Sequence, residues 1–178
     1  VFVSTSEGEH AAPIIRALEL GKPVLVEKPL ALDRNDADRI LETLKATNGK
    51  LRIGYSRRFK ECFLRAKEQM LQQRLGKVVG GLARVYNTRA QAFSILKRDP
   101  HATPVVDVLT YYVDLMCWFL EGNRPIEVVA RGQHGIFKDA GHNIHDVTWA
   151  IVTFEDGAVV NFGVSYALPA RYPTLGQS

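Results

Sequence analysis

Short apolar segments alternate with amphipathic ones through residues 1–57, and this alternation limits the possible folds more than any other feature of the sequence. Residues 1–5, 23–27 and 51–55 are short and apolar, as buried strands are. Residues 9–20 carry apolar side chains at helical spacing, and Asp33 is placed to cap a second helix. Strands that alternate with helices indicate βαβ units, which have right-handed crossovers and form a parallel sheet. The pattern is typical of the second half of a dinucleotide-binding domain.

The pattern changes after Arg58. It predicts a helix at residues 59–75, a strand at 77–88 and an irregular polar loop at 90–104. A strongly apolar helix follows at 105–120. Three strands are then predicted at 126–133, 147–154 and 158–166. Gly157 ends an Asp-Gly pair that suits a hairpin turn between the last two strands. The predicted fold class is therefore α/β. The second half of a Rossmann-type parallel sheet (residues 1–57) is followed by an α+β domain with a mostly antiparallel open sheet (residues 58–178).

Composition and charge exclude several classes of protein. The chain is 46% hydrophobic with a net charge of +4, and its densest basic patch, Arg57, Arg58 and Lys60, is too short to indicate a nucleic-acid partner. Cys62 and Cys117 form neither a disulfide framework nor a zinc motif, so we interpret them as free thiols of a cytoplasmic protein. The sequence has no apolar run long enough for a membrane span and no signal-peptide pattern at its start.

The sequence begins inside a predicted strand and contains no Gly-x-Gly-x-x-Gly motif. In dinucleotide-binding domains that loop holds the pyrophosphate with backbone N–H groups and a helix N-terminus. Either the chain is a fragment or it does not bind a dinucleotide. We expect a fragment that is truncated at its start, and also at its end because residues 169–178 show no helix or strand pattern. Alone, it should show no measurable NAD(P) binding and no activity.

A charged pair follows the second predicted strand. Glu27 and Lys28 come directly after the strand and before Pro29, at the carboxyl edge of the sheet, where ligands bind in open α/β folds. The Lys28 ammonium can hydrogen-bond a substrate oxygen, and Pro29 restricts the backbone, with a cis bond as one option. A surface ion pair before a turn explains the same residues equally well.

Three polar residues share one face of the apolar helix. Asp107, Tyr111 and Asp114 are spaced i, i+4 and i+7. Buried polar groups need partners, so either this stripe faces a functional site or the residues form internal hydrogen bonds.

Two histidines near the C-terminal strands, His142 and His145, suggest a metal site at first sight. Asp146 follows them, but no ordered third ligand is evident. A solvated polar turn is the favoured interpretation, and we predict no metal.

Several segments together resemble the glucose–fructose oxidoreductase / inositol dehydrogenase / rhizopine-catabolism (Gfo/Idh/MocA) family. Its usual signature is Thr-Pro-Asn-x-x-His, then a helix, then Gly-Lys-x-Val-x-x-Glu-Lys-Pro. Residues 5–10 and 17–31 are similar to these two motifs, in order and at the family's spacing. Residues 54–59 and 154–158 resemble later family segments, so the resemblance covers nearly the whole chain.

The resemblance implies an NAD- or NADP-dependent oxidoreductase that transfers a hydride to or from a secondary alcohol or carbonyl of a sugar or cyclitol. It also implies a homo-oligomer formed through the open sheet of the second domain. The implied cofactor-binding residues lie around the two motifs and are Thr5, Ser6, His10, Glu27, Lys28 and Pro29. Ser6 and Glu7 depart from the family's usual proline and asparagine.

The family's catalytic segment reads Asp-x-x-x-His-x-x-Asp, and here Tyr111 stands at the position of the proton-transferring histidine. The resemblance thus implies Lys28, Tyr111 and Asp107 as catalytic residues, and Arg58, Asp107 and Tyr111 as substrate-binding residues. Lys28 would polarise the substrate oxygen, and Tyr111 would exchange the proton. Upstream, residues 101–104 replace the family's glycine run, so the substrate loop is expected to differ.

Two other functions remain open from the sequence. One is a non-enzymatic relic that keeps the fold without binding a cofactor. The other is a sugar-binding module that uses the same cleft. Cofactor binding separates the enzyme from both alternatives.

Overall fold

Parallel strands and the helices between them make up the first part of the chain. The computed structural model describes residues 1–100 and 102–172. The chain divides into two units, Val1–Ser56 and Arg57–Ser178. Within the described ranges, no helix has the length and apolar character needed to cross a membrane.

The first unit, Val1–Ser56, is a three-stranded parallel sheet with two crossover helices. Its elements are β1 (Phe2–Val3), α1 (Ala11–Glu19), β2 (Val24–Val26), α2 (Arg34–Thr47) and β3 (Leu51–Ile53), and a short 3₁₀ turn (Glu7–Glu9) precedes α1. The strands lie in the order β1-β2-β3, and both pairings are parallel. The predicted parallel sheet is therefore confirmed.

Local sequence signals explain where these helices begin and end. Gly21 follows α1 with a φ of 65° and donates its N–H to Leu18, an arrangement that suits glycine. Asp33 caps α2 by accepting a hydrogen bond from the backbone N–H of Asp36 at 3.0 Å. Asn48 ends α2 in the left-handed conformation.

One face of this sheet is buried and the other is exposed. Val3, Val24 and Val26 point towards α1 and α2 and are buried in the unit's core. Phe2 and Leu25 alternate with them and remain exposed, with Phe2 at 83%. Both helices lie on one face because successive right-handed crossovers along one direction of the sheet place them there.

The second unit, Arg57–Ser178, is a four-stranded mixed sheet with helices. Its elements are α3 (Glu61–Leu71), β4 (Gly80–Thr88), α4 (Arg89–Arg98), a π-helical turn (Val105–Leu109), α5 (Thr110–Phe119), β5 (Pro125–Gln133), α6 (Ile136–Asp139), β6 (Val147–Phe154) and β7 (Val159–Leu168). The strand order is β4-β7-β6-β5. The β5–β6 and β6–β7 pairings are antiparallel, as expected for a mostly antiparallel sheet, and the β4–β7 pairing is parallel.

The polar segment at residues 90–104 was predicted as an irregular loop, and this prediction is wrong. α4 occupies most of it, because Thr88 and Gln91 form a capping box in which each satisfies a backbone N–H of the other. Ala92 and Leu96 lie four residues apart on the buried face of α4. The Thr-x-x-Gln signature and apolar residues at helical spacing, Ala92, Phe93 and Leu96, were both present in the sequence and were overlooked.

The apolar segment at residues 105–120 was predicted as one regular helix. Instead it begins with a π-helical turn, in which the N–H of Thr110 donates to the carbonyl of Val105, and continues as α5. Residue 101, in the loop where a departure from the family was expected, lies outside the described residues, as do residues 173–178. Residues 169–172 contain no helix or strand, as expected.

The core of the second unit lies between the sheet and the helices. Val160, Phe162 and Val164 alternate along β7 and are almost completely buried. In contrast, all residues of β5 are exposed, including Ile126 and Val128 at 61% each. The sheet therefore leaves apolar side chains uncovered along one of its edges.

Candidate active site

The first unit places its polar motif residues where β1 and β2 end. Thr5 and Ser6 follow β1 and are exposed, while Glu27 and Lys28 follow β2. Parallel strands present their carboxyl ends at the same edge of a sheet, and in open α/β folds ligands bind outside that edge. The four residues are therefore gathered at a site that can take a ligand.

His10 ties the two loops of this edge together. Its ring is 1% exposed, with Nδ1 at 2.8 Å from the carbonyl oxygen of Pro29 and Nε2 at 3.2 Å from that of Thr5. Pro29 is also buried, and the Lys28–Pro29 bond is cis, which was one of the options considered. His10 and Pro29 thus shape the edge from inside the fold, whereas Thr5 is at its surface.

Lys28 is half-buried beside an exposed carboxylate. Its backbone N–H donates to Oε2 of Glu27 at 3.3 Å. This contact turns the Glu27 side chain towards the peptide group that follows it. The ammonium lies at the edge predicted for a group that binds a substrate oxygen.

Asp107, in the second unit, is held by a residue that the sequence did not indicate. The Tyr166 hydroxyl donates a hydrogen bond to its Oδ2. Tyr166 is completely buried, and burial, together with the hydrogen bond to Asp107, raises the pKa of this phenol far above its usual range. Tyr166 therefore remains a neutral donor at every pH at which such a protein is used.

Tyr111 lies against a cation. The guanidinium carbon of Arg57 is 5.3 Å from the centroid of the Tyr111 ring and 4.8 Å from that of Tyr112. Nε of Arg57 is buried and has no hydrogen-bond partner among the described residues. Attraction between the cation and the two ring faces holds this arginine beside Tyr111.

Asp114 is paired with Arg58. Nε and Nη2 of Arg58 donate to the two carboxylate oxygens at 2.7 and 2.6 Å, and the Asp114 side chain is only 10% exposed. The hydrogen bonds to Asp114 raise the pKa of Arg58. For Asp114, therefore, the internal hydrogen bonds considered from the sequence are present, and the pair holds the chain before α3 against α5.

Each residue of the polar stripe, Asp107, Tyr111 and Asp114, is thus contacted by a partner from another element. Tyr166 comes from β7, and Arg57 and Arg58 come from the turn before α3. Sequence reasoning selected Arg58 but missed Arg57 and Tyr166. One signal was available: Tyr166 continues the inward-facing alternation of β7, where a hydroxyl requires a buried partner.

The histidines near the C-terminal strands do not form one cluster. The His145 ring lies 4.1 Å from that of His134, between centroids, whereas His142 lies beside Phe93 at 6.0 Å. The Asp146 carboxylate is occupied by backbone N–H groups at the start of α6. In the described part of the chain, no three His, Cys, Asp or Glu residues are gathered in a way that would hold a metal ion.

Comparison with known families matches both units. Residues 1–55 match the model of an oxidoreductase family with an NAD-binding Rossmann fold, and residues 63–177 match the GFO/IDH/MocA C-terminal domain. The chain belongs to the Gfo/Idh/MocA oxidoreductase family, as its sequence motifs indicated.

Individual relatives agree with this family. The inositol 2-dehydrogenase of Acidothermus cellulolyticus is 28% identical over 184 residues, which cover 100% of this chain and 52% of the relative. The putative oxidoreductase YteT of Bacillus subtilis is 27% identical over 162 residues, or 88% of this chain and 36% of its own length. The chain thus spans about half, or less, of these curated relatives.

A similar solved structure carries ligands. It is the scyllo-inositol dehydrogenase of Lactobacillus casei with bound cofactor NAD(H) and scyllo-inositol. The TM-score is 0.77 at 25% identity, and the match covers 95% of this chain and 51% of that one.

Proposed function

We propose that the protein is an NAD- or NADP-dependent oxidoreductase that transfers a hydride to or from a secondary alcohol or carbonyl of a cyclitol or sugar. The observation that carries this proposal is the match of one chain, in order, to the family's NAD-binding model and its C-terminal domain model. Relatives named as inositol dehydrogenases support the choice of a cyclitol or a sugar as substrate.

The carboxyl edge of the parallel sheet fits a nicotinamide cofactor. Its accessible side chains are polar, and His10 fixes both of its loops from within. Thr5, Ser6, Glu27 and Lys28 would hold the cofactor there, positioned by His10 and Pro29. When bound, the nicotinamide accepts or supplies the hydride.

The proton requires a separate group, which we assign to Tyr111. Its phenolate is proposed to take the proton of the substrate hydroxyl as the alcohol is oxidised, and the resulting phenol to return that proton in the reverse direction. Asp107 is proposed to orient Tyr111 and a substrate hydroxyl, and the Lys28 ammonium to polarise the reacting oxygen. Arg58, whose orientation is fixed by Asp114, is proposed to bind another substrate hydroxyl.

The mixed sheet is proposed to form a homo-oligomer. Val129 and Ile151 pair directly across β5 and β6 and are 51% and 45% exposed. Trp149 on the same face is 40% exposed. Apolar side chains on an uncovered sheet face are typical of a surface that pairs with another subunit.

The direct test uses the protein made from its complete coding sequence. It is incubated with NAD⁺ or NADP⁺ and a panel of inositols and sugars, and the formation of reduced nicotinamide is followed. We expect turnover with at least one cyclitol or sugar. Lys28→Ala should abolish most of it, whereas Lys50→Ala, a change at an exposed lysine just before β3, should leave it unchanged. Cofactor binding without turnover on any polyol, or the absence of cofactor binding, would contradict the proposal.

A further inference from the structure

The ring of Tyr166 lies in an apolar part of the core. The side chain is completely buried in a cluster built from α4, α6, β7 and the loop before β6, whose other buried members are Ala92, Leu96, Phe137 and Ile144. A phenol in such surroundings loses water and needs a hydrogen-bond partner. Phenylalanine would fill the same space without this requirement, so the hydroxyl needs a reason.

Its partner is one residue of the polar stripe. The hydroxyl donates to Oδ2 of Asp107, which lies in the π-helical turn Val105–Leu109. A hydrogen bond to an ionised carboxylate is stronger than one between neutral groups and restricts the orientation of the carboxylate. π-Helical turns are rare and occur frequently at functional sites.

Tyr166 is itself rigidly supported. Its backbone N–H donates to the carbonyl oxygen of Asp146 at 3.2 Å, and that oxygen also accepts from Ser165 Oγ at 2.8 Å. The Asp146 carboxylate accepts the N–H groups of Ile136 and Phe137, at 2.7 and 3.1 Å, and so fixes α6 beside the phenol. A donor with such support can hold its acceptor to within a fraction of an ångström.

We propose that Tyr166 is a positioning residue, which holds the Asp107 carboxylate in one orientation for its work with Tyr111. This inference rests on the proposed function, in which Asp107 serves the reaction. None of the family motifs in the sequence contains Tyr166. Packing alone predicts something different, namely that removal of the hydroxyl destabilises the fold without selectively affecting turnover.

A double-mutant cycle on turnover tests the proposal. Tyr166→Phe in the full-length enzyme should lower kcat by about 10- to 100-fold, the loss expected for one hydrogen bond to a charged group, while the KM of the cofactor stays within about threefold. In the Asp107→Ala background the same substitution should have almost no further effect, because the acceptor of the hydrogen bond is already gone. Equal fold-changes in both backgrounds, or a change in kcat below about threefold, would overturn the proposal.

Matched measurements separate this idea from the proposed function. Tyr86→Phe, on the neighbouring β4, removes a hydroxyl from a partly exposed tyrosine and should leave kcat unchanged. The same cycle is also measured on the free energy of unfolding of the chain, where Tyr166 and Asp107 should be coupled. If the wild type turns over no substrate, the proposed function has failed. In that case the unfolding measurements decide alone. Additive effects of the two substitutions on the free energy of unfolding would overturn the positioning role. Coupled effects would support the Tyr166–Asp107 contact on which that role depends.

Discussion

The bidentate pair between Arg58 and Asp114 shows what a single residue contributes to this fold. Asp114 is nearly buried and Arg58 is 39% exposed, so the pair lies between a buried and a surface ion pair. We expect Asp114→Asn to lower the free energy of unfolding by about 1–3 kcal/mol, because it leaves a guanidinium without its counter-charge. Denaturant titration measures the change.

The control for this prediction is a pair at the surface. Arg16 and Glu19 are 3.4 Å apart, with side chains 70% and 50% exposed. Glu19→Gln should change stability by less than about 1 kcal/mol. Arg58→Lys should also weaken the pair with Asp114, because a lysine ammonium cannot form the two parallel hydrogen bonds. Equal losses for Asp114→Asn and Glu19→Gln would show that Asp114 is not specially stabilised.

A second prediction for a single residue concerns the role of Tyr111 in proton transfer. Tyr111→Phe keeps the ring that packs against Arg57 and removes only the hydroxyl. Turnover should therefore fall by roughly 10²–10⁴-fold, the usual contribution of a general acid–base group, while cofactor affinity stays nearly unchanged. Steady-state kinetics and a cofactor titration measure the two quantities. Turnover within about threefold of the wild type would make Tyr111 structural and assign the proton to another residue.

Tyr166 gives a prediction on pH. Its pKa in the folded protein is raised by burial and by Asp107, so the unfolded chain releases this proton first as pH rises. The stability that the neutral phenol contributes is complete below the usual tyrosine pKa of about 10, and is lost as pH rises further, by at most about 1.4 kcal/mol per pH unit. The wild type should therefore lose stability faster than Tyr166→Phe above about pH 10.

The measurement is the free energy of unfolding of both proteins over a pH series. The difference between them should be constant at neutral pH, because the tyrosine is protonated in both the folded and the unfolded state there. Lysine deprotonation affects both proteins alike and cancels in the difference. A difference that stays constant to high pH would mean that the Tyr166 phenol ionises as easily in the folded protein as in the unfolded chain.

Sequence reasoning found the stripe but not its partners, and the reason is the distance along the chain. Asp107, Tyr111 and Asp114 are close in sequence, so helical spacing reveals them. Tyr166 follows Asp107 by 59 residues and Arg58 precedes Asp114 by 56, and no local pattern encodes those contacts. Family motifs selected Arg58, but Arg57 beside it contacts Tyr111.

At the scale of elements, α4 tests how far a cap determines a helix. Thr88 is buried, and its side-chain oxygen accepts the N–H of Gln91 at 3.3 Å. Thr88→Ala should lower the free energy of unfolding by about 1 kcal/mol, the usual cost of a lost N-cap. Thr43→Ala is the control, since that hydroxyl bonds only to the carbonyl of Arg39 within α2. It should be neutral or slightly stabilising.

Elements with clear stop signals were predicted correctly, whereas α4 and the π-helical turn were not. α1, α2 and the β6–β7 hairpin have clear stop signals, and all three are present. α4 contains no Gly, Pro, Asn or Asp and carries a capping box, so its prediction as a loop was an error of interpretation; burial of Ala92 and Leu96 against Tyr166 stabilises it. The π-helical turn adds one residue to a helical turn, which apolar periodicity does not resolve.

For the whole molecule, both sheets leave an apolar face without cover. In the first unit Phe2 and Leu25 face outward, although parallel sheets in α/β proteins are usually covered on both faces. In the second unit the exposed apolar side chains continue from Val129 to Ile151 and on to Leu82, which is 54% exposed. The register places these three in one row across the sheet, with Asn161 between the last two.

This row gives the prediction on assembly. An apolar row that crosses β5 and β6 and resumes on β4, with only Asn161 of β7 between, can pack against a second copy of itself around a twofold axis. The protein should therefore be oligomeric by light scattering at micromolar concentration. The double substitution Val129→Lys/Ile151→Lys should shift it towards the monomer, because lysines opposite one another repel and resist desolvation. Leu41→Lys, at a residue of α2 that is 42% exposed, should leave the oligomer intact. A wild type that stays monomeric at high concentration, or a double variant as oligomeric as the wild type, would show that the row is not the interface.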